Sequence, residues 1–138
     1  MVVMIMDGQG GGIGSTVIKA LRSIAAGRLD IWALGTNSTA TSRMLKAGAN
    51  RGATGENAIV QTSPKADVII GPLAILMPHA MMGEVTPRMA EAVCESKAEK
   101  ILIPLTQEKV KLAGFRPDPL PHLVERVVEI IRERVNPA

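Results

Sequence analysis

The chain alternates short apolar runs with longer segments in which apolar residues recur at helical spacing. An apolar run without polar interruption predicts a strand that is covered on both faces. The predicted strands are residues 2–6, 31–34, 68–70 and 101–105. Pro104 lacks an N–H donor, which suggests that the last strand is an edge strand or ends there. Residues 110–113 could return beside it as a hairpin arm or an antiparallel edge.

Five segments have the apolar spacing of amphipathic helices. They begin near Ser15, Ser38, Glu56, Pro87 and Leu120. Ser38 or Thr39 is the predicted cap of the second helix, and Thr86 followed by Pro87 is a favourable start for the fourth. Residues 49–55, which contain two glycines, are predicted to form a loop.

The order of these elements predicts the fold class. Strands that alternate with helices imply an α/β fold, with a doubly wound, mostly parallel, Rossmann-like sheet and helices on both faces. The length of 138 residues fits one domain, residues 1–138. Ligands of such sheets bind at the carboxyl ends of the strands, where the strand order reverses. Asp7, Gly35 and Gly71 lie at three predicted strand ends.

The turn between the first strand and the first helix contains five glycines in seven positions. Glycine lets the backbone approach a ligand closely, and a helix N-terminus offers N–H groups and a positive dipole to a phosphate. This turn therefore predicts a small anionic nucleotide ligand. The predicted ligand-binding residues of the turn are Gly8, Gln9, Gly10, Gly11, Gly12, Ile13 and Gly14. The alternative is a tight turn that only lets the helix pack on the sheet.

Asp7 precedes the glycine-rich turn and needs a separate interpretation. Its carboxylate would repel a bare phosphate unless a proton or a divalent cation intervened. It could instead accept hydrogen bonds from the N–H groups of the turn and hold the turn in place, which is the interpretation that we favour.

The residues after the second predicted strand bear on the choice of cofactor. Sites for NAD usually place Asp or Glu at this strand end, where it bonds the ribose 2′-hydroxyl. This chain has Thr36, Asn37 and Ser38 there, followed by Arg43, and no acid. Hydroxyl groups and a guanidinium suit a 2′-phosphate, so NADP is the predicted cofactor. The alternative is simple helix capping, with Arg43 on a solvated face.

The glycine spacing resembles that of the short-chain dehydrogenases and reductases. Gly8, Gly12, Ile13 and Gly14 match their G-x-x-x-G-I-G pattern, although Asp7 stands where that family usually has threonine. The resemblance covers the first strand, turn and helix. It implies a dinucleotide site, but the Tyr-x-x-x-Lys pair of that family has no counterpart because the chain contains no tyrosine. Catalytic residues therefore stay unassigned.

A second resemblance covers residues 37–40 and 51–57, which look like parts of the amino-terminal half of the tubulin-like cell-division GTPases of bacteria. The phosphate loop of that family would follow Gly71, where this chain has Pro72 and apolar residues. The resemblance implies a purine mononucleotide, such as GTP, as the alternative ligand. Over most of its length the chain also resembles short bacterial proteins without an assigned function that open with D-G-Q-G-G-G-I-G, which supports a Rossmann-like fold.

Charge and composition narrow the choice of partners. Residues 1–66 carry seven Lys or Arg and three Asp or Glu, whereas residues 67–138 carry nine and ten. The positive excess thus accompanies the glycine-rich turn and favours an anionic ligand. Nucleic acid is not expected, because Trp32 and Phe115 are the only aromatic residues available for stacking on bases. His79 and His122 have no partners at metal-ligand spacing, so no metal site is predicted.

Four further features suggest location and assembly. The single Cys94, interpreted as a small core residue, suits a reducing compartment, and no basic segment precedes the first apolar run. The uncharged stretch after Asp67 is short and broken by glycine and proline, so a cytoplasmic protein without a membrane span is expected. The Met-rich residues 72–82, from Pro72 to Met82, are too apolar for a free loop. They predict a lid or, preferably, a homo-oligomer contact.

Beside a dinucleotide and a mononucleotide binder, a third hypothesis for the function is an assembly module that binds no nucleotide.

Overall fold

The computed structural model describes residues 1–25, 27–105, 108–116 and 118–136. One sheet of five parallel strands has the order β3-β2-β1-β4-β5. The strands are β1 (Val2–Asp7), β2 (Asp30–Gly35), β3 (Arg51–Thr54), β4 (Val68–Pro72) and β5 (Glu99–Ile103). The predicted α/β class with a parallel sheet is confirmed.

Helices cover both faces of this sheet. They are α1 (Gly12–Ala25), α2 (Ser38–Lys46), α3 (Glu56–Thr62), α4 (Pro87–Glu95) and α5 (Leu120–Val135), with 3₁₀ turns at Ser63–Lys65 and Leu73–Leu76. Buried side chains of α1, α2 and α5 form one apolar cluster with the sheet, and those of α3 and α4 form a second cluster. The sheet thus lies between two cores.

The central strand β1 supplies both cores because successive side chains of a strand point to opposite faces. Val3 and Ile5 belong to the cluster with α1, whereas Met4 and Met6 belong to the cluster with α4. All four side chains have no exposed surface. Burial on both faces explains why the apolar run at the start of the chain predicts a strand so clearly.

The prediction of a loop at residues 49–55 is wrong in part, since β3 lies within it. β3 pairs in parallel with β2, from Trp32 opposite Arg51 to Gly35 opposite Thr54. All residues of β3 are exposed, so the hydrophobic pattern of the sequence does not indicate this strand. β5 also begins earlier than predicted, at Glu99, and it ends before Pro104.

Three local predictions are corrected by the structure. Residues 110–113 form no strand, and Cys94 is exposed rather than part of the core. The cap of α2 is Asn37, whose side chain accepts a hydrogen bond from the N–H of Ala40, and not Ser38 or Thr39. Thr86 caps α4 as predicted, by accepting from the N–H of Met89.

The strand order reverses between β1 and β4. The chain leaves β1 towards β2 and β3 on one side, and it returns to β4 and continues to β5 on the other side. Crossovers that diverge in this way leave a crevice at the carboxyl ends of the two strands. Here those ends are Asp7 and Pro72.

None of the described helices is both long enough and apolar enough to cross a lipid bilayer.

Candidate ligand-binding site

A cavity of about 520 Å³ lies at this switch point. Its volume falls within the range of sites for small molecules and cofactors, roughly 300–1,000 Å³. Its walls come from the end of β1, the glycine-rich turn, the end of β4 and the segment that follows β4. The described lining residues are Asp7, Gly8, Gln9, Ile13, Pro72, Ala74, His79, Met81, Met82, Leu105 and Glu108.

Backbone strain is concentrated in the wall of this cavity. Four described non-glycine residues have positive φ angles: Gln9 at 49°, His79 at 70°, Met81 at 57° and Met82 at 56°. All four line the cavity. Such conformations cost on the order of 1–3 kcal/mol each and persist only where surrounding contacts hold them, as is common at functional sites.

Asp7 is 4% exposed and holds the glycine-rich turn, which confirms the interpretation that we favoured. Its Oδ1 accepts from the N–H of Gly8 at 2.8 Å, and its Oδ2 accepts from the N–H of Gly14 at 2.7 Å. Burial raises the pKa of Asp7 above its ordinary value of 3.8, and the hydrogen bonds from the turn only partly offset this. The cavity therefore contains a carboxyl group that ionises less readily than usual.

Internal acceptors already occupy most N–H groups of the turn. Besides the two bonds to Asp7, the N–H of Gln9 donates to Glu84 and that of Gly11 donates to the carbonyl of Gly8. Among the described residues, the N–H groups of Gly10 and Gly12 have no acceptor. The guanidinium of Arg43 lies beside both, and its Nη1 donates to the carbonyl of Gly10 at 3.3 Å.

The glycines divide into two groups by what surrounds them. Gly11 has φ +74°, and a β-carbon there would lie 2.9 Å from the carbonyl oxygen of Ala40 on α2. A β-carbon at Gly14 would lie 2.5 Å from Sδ of Met44. Tight packing of α1 on α2 thus accounts for these two glycines. At Gly10 and Gly12 a β-carbon would meet only Arg43, at 3.8 and 3.5 Å.

Glu84 joins the turn to the end of β2. Its Oε1 accepts from the N–H of Gln9 at 2.8 Å, from Oγ1 of Thr36 at 2.6 Å and from Nδ2 of Asn37 at 2.8 Å. Burial acts to raise the pKa of Glu84, but the hydrogen bonds from Thr36, Gln9 and Asn37 together lower it below the ordinary value of 4.5. The side chain is therefore an ionised acceptor at neutral pH.

This arrangement removes the basis for predicting NADP. The sequence has no acid directly after β2, yet Glu84 brings a carboxylate to that place from another part of the chain. Thr36 and Asn37, which were expected to bind a 2′-phosphate, donate to this carboxylate instead. Arg43 contacts the turn, and Ser38 is exposed at the first position of α2.

The cavity is acidic rather than basic. Asp7 and Glu108 line it, and its described lining residues include no Lys or Arg. Of the positively charged residues in 1–66, Arg43 lies beside the glycine-rich turn, but it is not part of the cavity lining. No group of three or more His, Cys, Asp or Glu among the described residues could hold a metal ion.

Sequence reasoning missed Glu84, His79 and Met81. The sequence leaves open whether Glu84 is an acid or base near the site or only a surface charge, because Glu84 lies 48 positions from Thr36. His79 and Met81 belong to residues 72–82, for which periodicity gave no settled structure. The positive φ angle of Met81 has no sequence signal, and that of His79 has only a weak one, because histidine is enriched among the few non-glycine residues in that region.

The parallel sheet defines a Rossmann-like α/β protein with a cavity at the topological switch point. Residues 2–136 match the model of a family described as a domain of unknown function, DUF3842, and the chain therefore belongs to this family.

One solved structure that is similar to the chain is a dodecameric FMN-dependent UbiX-like decarboxylase from Escherichia coli O157:H7. It has 14% sequence identity and a TM-score of 0.51, and the alignment covers 97% of this chain and 93% of that protein. At this identity the similarity supports the fold alone. No curated protein matches the chain significantly.

Proposed function

We propose that this protein binds a nucleotide-class cofactor at the switch-point cavity, with FMN as the first candidate. The observation that carries the proposal is a cavity of about 520 Å³ whose wall includes the four strained residues Gln9, His79, Met81 and Met82. The name of the UbiX-like neighbour supports FMN as the first cofactor to test.

Two parts of the site suit the two parts of such a ligand. The side chains of Ile13, Pro72, Met81 and Leu105 supply an apolar wall for a flat ring system. The N–H groups of Gly10 and Gly12, at the N-terminus of α1, are available to an anion, and Arg43 adds a positive charge beside them. One phosphate fits this supply of donors better than the several phosphates of NADP or GTP, because the cavity itself is acidic.

A binding experiment tests this proposal. We expect FMN to bind to the protein with quenched flavin fluorescence and to raise its melting temperature, since a ligand of the folded state stabilises that state. Riboflavin, which lacks the phosphate, should bind more weakly. NADP and GTP serve as comparison ligands, and a shift with either of these but not with FMN would contradict the flavin assignment.

Two variants locate the phosphate. Gly12→Val places side-chain atoms over the free N–H, and Arg43→Ala removes the positive charge. Each should weaken binding of FMN about tenfold or more and leave the weaker binding of riboflavin nearly unchanged. Arg126→Ala is the matched control, because Arg126 pairs with Glu129 on the exposed face of α5. Equal losses for FMN and riboflavin would argue against a phosphate at this place.

Self-association through residues 72–82 stays part of the proposal. Within that segment Ala74, Ile75 and Ala80 are buried by the chain itself, whereas Met82 is 97% exposed. An apolar side chain that is fully exposed beside a ligand cavity suits a subunit contact. The dodecameric state of the UbiX-like neighbour is consistent with an oligomer.

A further inference from the structure

Glu84 brings a carboxylate to the end of β2, against Thr36 and Asn37. Its Oε1 is committed to the N–H of Gln9, to Thr36 and to Asn37. Its Oε2 has no hydrogen-bond partner among the described residues. The residue is only half-buried, so the carboxylate is held by its Oε1 contacts without being sealed inside the core.

The position of this acceptor relative to the cavity is set by its neighbours. Gln9, which donates to Glu84, lines the cavity, and so does Met81, three residues before Glu84. A β-carbon at Gly8 would lie 2.5 Å from Sδ of Met81 and 3.0 Å from Oε1 of Glu84. Gly8 itself lines the cavity, so the carboxylate of Glu84 lies next to the cavity wall.

A carboxylate at the end of the second strand of a doubly wound sheet can accept hydrogen bonds from sugar hydroxyl groups, and it repels a phosphate at the 2′ position of a ribose. In sheets of this kind the acid is normally found in the sequence directly after the strand. In this chain a different segment carries it to the same place. The low pKa of Glu84 keeps it ionised, as acceptance from hydroxyl groups requires.

We propose that Oε2 of Glu84 binds the hydroxyl groups of a ribose or ribityl chain of the ligand and selects against ligands whose ribose carries a 2′-phosphate. The inference rests on the proposed function, because it takes the cavity as the place of the ligand. It adds the ligand class: a nucleotide or flavin with free sugar hydroxyl groups.

Two ligand pairs test it by isothermal titration calorimetry. Riboflavin and lumiflavin share a ring and differ in the ribityl chain, and NAD and NADP differ only in the 2′-phosphate. In the wild type we expect the hydroxyl-bearing member, riboflavin or NAD, to bind about tenfold or more tightly than its partner, because hydrogen bonds to a charged group have this magnitude.

Glu84→Gln is the informative variant. Glutamine keeps one oxygen for the donors from Gln9, Thr36 and Asn37, but it replaces the open acceptor with an uncharged NH₂ group. In this variant the two members of each ligand pair should then bind with nearly equal affinity. Glu91→Gln is the matched control, because Glu91 is an exposed acid on α4 that does not line the cavity, and it should leave both preferences intact.

The outcomes separate this inference from the proposed function. If the wild type shows no preference within either ligand pair, or binds none of these ligands measurably, the role of Glu84 is overturned. This holds even if the variant fails to fold. An equal loss of preference in Glu91→Gln overturns it too, since a general charge effect would then explain the result. FMN binding without such preferences leaves the cofactor proposal standing, whereas preference for NAD without FMN binding contradicts only the flavin assignment.

Discussion

Asp7 and Glu84 lie at the same edge of the sheet, yet their surroundings move their pKa values in opposite directions. Asp7 is almost completely buried, and desolvation outweighs the hydrogen bonds that it accepts. Glu84 is more exposed, so three donors outweigh its smaller desolvation. The two carboxyl groups therefore differ in acidity: Asp7 releases its proton less readily than an ordinary carboxyl group, and Glu84 releases it more readily.

The raised pKa of Asp7 predicts how stability depends on pH. Because the folded state binds this proton more tightly than the unfolded state, the stability that Asp7 contributes is present below pH 3.8 and is lost as pH rises through the folded pKa. Asp7→Asn cannot titrate. We therefore expect the free energy of unfolding of the wild type, relative to Asp7→Asn, to decrease as pH rises above about 4.

Urea denaturation of both proteins at several pH values measures this difference. A constant offset between the two curves would reflect only the altered hydrogen bonds to Gly8 and Gly14. Because such a constant offset shows no effect of titration, it would contradict the raised pKa of Asp7.

At the scale of elements, the sequence predicts those strands whose side chains are buried. β1, β2 and β4 contain apolar runs, and their residues lie between two helical layers. β3 is exposed throughout, so its backbone pairing with β2 left no trace in the hydrophobic pattern. The same physical limit applies to the cavity wall, where left-handed residues are held by tertiary contacts rather than by their own propensities.

The cap of α2 offers a test at this scale. Asn37 accepts from the N–H of Ala40 and also donates to Glu84 and to the carbonyl of Gln9. Asn37→Ala should lower the free energy of unfolding by about 1–2 kcal/mol, because a helix cap and two further hydrogen bonds are lost. Ser38→Ala is the control and should change it by less than about 0.5 kcal/mol. Chemical denaturation that ranks the two variants in reverse would restore Ser38 as the cap.

At the scale of the whole molecule, the parallel sheet and the place of a cavity at the strand ends were predictable together with the glycine-rich turn. A glycine turn after an apolar strand predicts a parallel sheet with ligands at strand ends, and the cavity lies there. The identity of the acid at the end of β2 was not predictable. Residues close in space but 48 positions apart share no local pattern, so Thr36 and Asn37 suggested a phosphate site when they actually hold Glu84.

Assembly is the prediction that belongs to this scale. Light scattering after size-exclusion chromatography should find an oligomer for the wild type, and Met82→Lys should shift the mass towards the monomer, because a charge would have to be buried in the contact. Leu45→Lys is the matched control, since Leu45 is an exposed apolar residue, 41% exposed, on α2. A monomeric wild type would contradict the contact.

The stretch between β4 and α4 supplies both the strained rim residues His79, Met81 and Met82 and the acid Glu84. In the proposed site, this one short segment thus supplies both the shape of the wall and the charge at the sugar position, and it is separate from the glycine-rich turn. Exchanging this segment between related chains is therefore expected to alter which ligand binds, while the proposed phosphate site at the glycine-rich turn stays the same. Divergence of ligand choice in such proteins is therefore better sought there than in the first helix.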